Sequence, residues 1–445
     1  MTGRAGRLGG FGRFGPIAVL LAGAMIALLT LGGMLGDRGD TAAGSASAVP
    51  QIGTPGLNAV IYATQDKLRR LPGDAPAWAQ LGAAYVEQAR ITADPSFYAK
   101  AQGALEKSLQ LAPHDNAFAM IGMGQLANAR HDFAAGKRWG EQARALQPST
   151  AEVYGVLADS LTQLGDADGA TAAVQAMLDT RPGVASFTRA SYDLELHGRV
   201  AEARSALERA LATSASPDHV AFCRYYLGEL AFNAGRVDEA SSQYEQGLRA
   251  APGNVALLQG RAKVAAATGR VAAALAGYGQ ITSRVPLPQY LLEYGELLES
   301  VGQAAQARGQ YELITAQQQL YTAQGAVDDL FAAQLAADHG LPTEALARAA
   351  QEWDRRQSVF SADALAWALH VNGRDAEALT YADRAGAYGW RNATFAYHRG
   401  MILTSLRRTA DARAALSRAL AINPYFSPLA APRAKQALAE LGGPR

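Results

Sequence analysis

An all-α solenoid of about ten stacked helical hairpins is the fold class this chain predicts, on three recurrences in its spacing. Glycines fall at Gly165, Gly198, Gly235, Gly269, Gly302, Gly340 and Gly373, at intervals of 33, 37, 34, 33, 38 and 33 residues. An alanine stands five residues after each, at Ala170, Ala203, Ala240, Ala274, Ala307, Ala345 and Ala378, and Ala412 continues the series 34 residues on. Prolines at Pro113, Pro148, Pro182, Pro252, Pro286 and Pro424 keep the same phase.

Each recurring residue type has a physical task. A turn glycine ends the first helix of a hairpin in a left-handed conformation that costs it nothing. Small residues at Gly82, Gly124, Ala158, Gly228, Gly295 and Gly400 let the first helix lie close against the second. Asp166, Asp238 and Asp375 stand where second helices start and are placed to accept hydrogen bonds from their free amides. The proline bars further helix and sets the exit to the next unit.

The first unit carries Trp78, Leu81, Gly82 and Tyr85, then Ala101, Leu105, Ser108 and Pro113, and a later one repeats it with Leu227, Gly228, Ala231, Gly235, Ala240, Tyr244 and Pro252. This pattern resembles the tetratricopeptide repeat (TPR), whose nominal period is about 34 residues. Against that period, Ile91 to Tyr98 reads as an insertion of about seven residues between paired helices. The units fall at 75–113, 116–148, 150–182, 184–216, 220–252, 254–286, 288–320, 325–357, 358–392 and 393–424. Near 325 the boundary is set least firmly, because Gln317-Gln318-Gln319 has no closing proline and the helix before it can run on. A lone helix from Asn58 to Leu71 precedes the units, and Ala431 to Leu441 reads as a helix covering the open end. The resemblance implies a right-handed superhelix with a concave face lined by first helices. The closing run from Ala421 to Leu429 also resembles that of bacterial membrane-associated TPR proteins.

Residues 1–14 carry Arg4, Arg7 and Arg13 without an acid, and residues 15–36 carry no charge over a length that spans a bilayer as a helix. Arginines before the span, against Asp37, Arg38 and Asp40 after it, orient the N-terminus inside and the body outside the cytoplasm. Two readings compete: a retained single-pass anchor, which the length of the run favours, and a signal segment cleaved at Ala46-Ser47-Ala48, leaving a secreted or periplasmic protein. Residues 37–56 form an Ala, Gly, Ser and Pro-rich tether, and the solenoid occupies 57–445.

Lysine and arginine total 41 against 40 acids, a net charge of +1 that offers no field for a nucleic acid. The single cysteine, Cys223, sits in an apolar run and reads as a buried structural thiol. There is no phosphate loop, His-Glu-x-x-His, Gly-x-Ser-x-Gly or paired metal cysteine, so no catalysis, cofactor or metal is expected. His197 and His339 precede turn glycines and read as solvated helix ends. Asp166-Ala167-Asp168-Gly169 opens like a calcium loop, but Met177 stands where the glutamate belongs, so it reads as a helix start. Tyr226 and Tyr294 read as core.

In the TPR family, ligands lie against the inward side of the first helices. Repeat phase carries that side onto Gln125, Asn128, Asp159, Tyr192, Glu195, Tyr225, Glu229, Lys263, Glu296, Glu299, Gln334, Asp363, Trp367 and His370. Six of these are acids and one is a lysine, which implies an acidic groove for an extended protein segment bearing Lys or Arg. The competing reading makes the acids a solvated face that keeps the solenoid soluble. The basic clamp of chaperone-tail receptors is not matched, and no small-molecule substrate is expected. The function implied is an envelope-anchored scaffold or adaptor. An accessory that presents substrate to a separate enzyme and a self-assembling structural protein are the alternatives.

Overall fold

The computed structural model describes residues 55–442. The basic start, the apolar run 15–36 and the tether as far as residue 54 lie outside the described residues. Among the described residues every regular element is a helix, and none is long and apolar enough to cross a membrane.

Helix α1 (Pro55–Arg70) leads into ten hairpins. They are α2 (Ala75–Thr92) with α3 (Ser96–Leu111), α4 (Ala117–Ala129) with α5 (Phe133–Leu146), α6 (Ala151–Leu164) with α7 (Ala167–Thr180), and α8 (Val184–Leu196) with α9 (Val200–Ala212). Next come α10 (Pro217–Asn233) with α11 (Val237–Ala250), α12 (Val255–Ala267) with α13 (Val271–Arg284), and α14 (Pro288–Ser300) with α15 (Ala304–Ala323). The last three are α16 (Asp329–Asp338) with α17 (Pro342–Arg355), α18 (Val359–Val371) with α19 (Asp375–Ala385), and α20 (Ala393–Ser405) with α21 (Thr409–Ile422). Helix α22 (Ala430–Glu440) packs on α21 through buried Ala430, Ala434 and Ala437.

The recurring residues sit where their chemistry requires. All seven turn glycines have φ between 72° and 83°, and all eight alanines of the series are buried. The first, second and tenth turns place Ala93, His131 and Arg407 in the same left-handed region without glycine. At Gly228 a Cβ would lie 2.2 Å from the ring of fully buried Tyr244, so only glycine lets α10 approach α11 this closely.

Four local expectations need correction. The extra residues after Ile91 do not form a loop: they lengthen α2 to 18 residues, with the turn at Ala93 to Pro95. Asp166 caps α7 by accepting from the Gly169 amide at 2.9 Å, but Asp238 and Asp375 lie inside the first turns of α11 and α19. There they oppose the positive helix end without a capping bond, and Asp375 instead meets His370 Nδ1 at 2.5 Å. His339 is not a solvated helix end, since it packs 3.9 Å from the Tyr311 ring and burial pulls it down to about 4. His197 does stand at the end of α8, with its side chain 32% exposed, and also stacks on Tyr388 at 5.8 Å.

The solenoid also winds back on itself. Turns of the second to fifth hairpins touch the loops that follow the seventh to tenth. Val327 donates its amide to the Arg130 carbonyl at 3.1 Å, Tyr388 donates to the Gly165 carbonyl at 2.8 Å, and Asn423 donates to the Phe232 carbonyl at 2.9 Å. Arg356 bonds Gln163 and lies 4.7 Å over the Phe133 ring. Contact is close enough that a Cβ on Gly165 or Gly198 would fall 2.4 or 2.6 Å from the carbonyl oxygens of Gln357 or Gly389. Tyr192 and Leu196 of α8 share a buried apolar cluster with Val359, Phe360 and Phe395. This seam joins hairpins five units apart in sequence.

Candidate functional site

The inward residues of the first helices form a polar ladder that ties several hairpins to their neighbours. Ser160 Oγ donates to Asn128 Oδ1 at 2.7 Å. Arg189 grips Asp159 with two bonds of 2.9 and 2.8 Å, and Lys263 grips Glu229 at 2.7 Å while Tyr244 donates to the same carboxylate at 2.6 Å. His398 meets Asp363 at 2.9 Å, and the Trp367 indole donates to Asp338 at 2.6 Å while its ring stacks on His398 and His370. Tyr311 donates to Glu299 at 3.1 Å, and Ser427, beyond the last hairpin, donates to Glu296 at 3.1 Å across the seam.

Of the fourteen inward residues inferred from repeat phase, only Glu299 and His370 escape full burial. Gln125, Asn128, Asp159, Tyr192, Glu195, Tyr225, Glu229, Lys263, Glu296, Gln334, Asp363 and Trp367 are withdrawn from water. The negative face expected of the acids is therefore spent internally. Burial raises Asp159 despite Arg189, and raises Glu296 and Asp338 far above the carboxylate range. Burial also lifts Glu195 to about 7, against bonds from Asn233 and the Trp390 indole. Lys263 goes the other way: burial alone would lower it, but Glu229 and Glu293 outweigh that and hold it above its ordinary value. Arg189, His398 and Asp338, absent from the phase-derived set, each stand about one repeat period from a residue within it.

The open volume lies elsewhere on the inner side. A cavity of about 1540 Å³ is walled by α14, α15, α16 and α17, with Arg90 and Tyr98 of the first hairpin and Tyr225 of α10 closing it from across the superhelix. Winding is what assembles these parts, since Tyr98 and Tyr321 meet with ring centroids 6.2 Å apart. Tyr225, Glu299 and Gln334 of the phase-derived set line it, and the other eleven do not. Helix α15 contributes most of one wall because it runs for 20 residues, against 14 for α13. Exposed Arg308, Glu312, Thr322, Val327 and Leu341 mark the mouth.

The tetratricopeptide repeat family model matches residues 190–255 and 225–284, within the fourth to sixth hairpins. All ten hairpins share the left-handed turn residue that those three carry. The chain carries tetratricopeptide repeats over the matched residues. No curated protein matches it. Similar solved structures include a thermophilic TPR protein of Thermus thermophilus, 21% identical, covering 43% of this chain and 98% of that one at a TM-score of 0.38. Yeast Tom70 is 11% identical over 86% of this chain and 96% of its own, with a TM-score of 0.37. PilW, a widely conserved type IV pilus biogenesis factor, is 16% identical over 53% and 96%, with a TM-score of 0.36. These likenesses concern the fold. Among the described residues of this TPR protein, no three His, Cys, Asp or Glu side chains gather as a metal site.

Proposed function

We propose that this TPR protein is a non-catalytic scaffold that holds a segment of a protein partner in the cavity of its seventh and eighth hairpins. The size of that cavity carries the reading. Pockets for small ligands typically measure about 300–1,000 Å³, and about 1540 Å³ suits a length of chain better than a metabolite. In this reading residues 15–36 tether the solenoid to a membrane and hold it outside the cytoplasm, supported by the uncharged run and the arginines before it. The partner is a protein or peptide, with no nucleic acid involved.

Site-specific photo-crosslinking in intact membranes tests the site. A benzophenone side chain at Gln319 or Thr322, on the cavity wall, is expected to form an adduct with one defined polypeptide, and the same group at exposed Glu245 of α11 is not. Adducts from Glu245 with none from the cavity positions would overturn the assignment. Adducts joining two copies of this chain would favour the self-assembling alternative.

A further inference from the structure

We propose that the segment held in the cavity is uncharged and rich in aromatic or aliphatic side chains, with its main chain gripped by the side-chain amides of Gln318 and Gln334. This rests on the cavity being the partner site, and it departs from the basic peptide that the acids of the sequence imply.

Charge argues first. Several ionic groups on the cavity wall already have partners: Arg90 is paired with Glu87, and Asp329 with Arg348 at 2.9 Å and Arg355 at 2.7 Å. Tyr311 bonds Glu299, and Asp338 is bonded by Trp367. Burial also pushes the Asp338 carboxyl well above its ordinary value, toward its neutral form. Charge without a cationic or anionic partner is left at Glu299, bonded only by the Tyr311 hydroxyl, at Asp328, 3.7 Å from His131, and at the exposed mouth, where Arg308 opposes Glu312 in sign. A lysine or arginine drawn inside would give up hydration that only Glu299 and Asp328 are placed to offset.

The walls argue second. Tyr98, Tyr225, Tyr290, Tyr311, Tyr321 and Phe331 present ring surface. Apolar Val327 and Leu341, 41% and 52% exposed, carry that character out to the mouth. Aromatic and aliphatic side chains gain most from such a lining.

Unsatisfied polar groups argue third. Gln334 is only 3% exposed, yet its Nε2 has no partner, and the Nε2 atoms of Gln318 and His339 on the same wall share that state. A buried donor left unmade is costly, so the site is incomplete without an acceptor. A primary amide offers a donor and an acceptor, the same pair an extended peptide group presents. Two such amides, on α15 and α16, can hold main chain while leaving its side chains to the rings.

The test pans displayed random peptides against the full-length protein in lipid nanodiscs, with two variants as controls. Thr322→Trp fills the mouth from an exposed helical position, and Gln334→Leu removes one amide. Enriched sequences are expected to be aromatic or aliphatic and poor in Lys and Arg. Synthetic copies should lose binding to Thr322→Trp and bind Gln334→Leu about tenfold more weakly. Hydrogen exchange at α16 that matches the wild type would show the variant still folded. Lys- or Arg-rich sequences that still lose binding to Thr322→Trp would overturn the chemical class proposed and leave the cavity as the site. Enriched peptides that bind Thr322→Trp as well as wild type, or no enrichment, would overturn both.

Discussion

Two turn glycines with nearly the same backbone separate the seam from the repeat. Gly165 has φ of 83° and Gly269 has φ of 75°, so an alanine at either position meets a similar left-handed penalty. That penalty is about 1–2 kcal/mol, reduced by about 0.4–1 kcal/mol because alanine also restricts the unfolded chain. The surroundings differ. Nothing lies within 4 Å of a Cβ built on Gly269, whereas one on Gly165 would sit 2.4 Å from the Gln357 carbonyl oxygen, a backbone atom that cannot turn aside. Forcing atoms into such a contact typically adds about 1–3 kcal/mol. Gly269→Ala should therefore lower the unfolding free energy by about 1 kcal/mol, and Gly165→Ala by about 2–4 kcal/mol. Denaturant titration of the full-length chain in detergent reads the difference. Hydrogen exchange at 355–358 should rise in Gly165→Ala alone, because the loop it displaces is the far side of the seam. Equal losses for the two variants, with unchanged exchange at 355–358, would show that the turn-to-loop contacts hold nothing together.

Three further outcomes follow from the same structure. Burial raises Glu195 from 4.5 to about 7, so the folded chain binds a proton there that the unfolded chain releases. Its stabilisation is complete below about pH 4.5 and is lost as pH climbs to 7, by about 3 kcal/mol at most, so Glu195→Gln should flatten the pH profile of the melting temperature over that window. Lys263→Met strands Glu229 in the core and should cost about 3–5 kcal/mol, most of it recovered in the double variant with Glu229→Gln; full additivity in a double-mutant cycle would deny the pairing. Arg407→Gly, at an exposed residue with φ of 57°, should raise stability by up to about 1 kcal/mol, and a loss in thermal melting would count against the turn geometry.

The hairpins were legible because their determinants are local and periodic. Turn glycines and the alanines five residues later fix each unit from within, and the structure puts every one in its turn or its interface. Where a turn tolerates another residue, as at Ala93, His131 and Arg407, glycine counting misses it. Repeat phase found the inward face but not its state. Asp159 reads as a free acid until Arg189, 30 residues on, is seen to grip it, and that pairing depends on how far one hairpin rotates against the next. The seam left no sequence trace at all. Arg356 and Gln163 are 193 residues apart, and nothing near either one specifies the other.

The seam explains why the inward face behaves as a core. A solenoid held only by neighbouring units leaves its concave side in water, where carboxylates cost little and attract cations. Here the loops after the seventh to tenth hairpins cover the turns of the second to fifth, so the inward polar groups lose their water and must pair or stay neutral. Arg189 and Lys263 do the first, and burial pushes Glu296 and Asp338 toward the second. The cavity persists where the period breaks. Helix α15 continues past the point at which other second helices stop, and that extension carries Gln318 and Tyr321 onto the cavity wall and Thr322 to its mouth. The irregular stretch Gln317-Gln318-Gln319, which obscures a unit boundary in the sequence, thus supplies the wall that is open to a partner, whereas the regular hairpins mainly supply the scaffold around it.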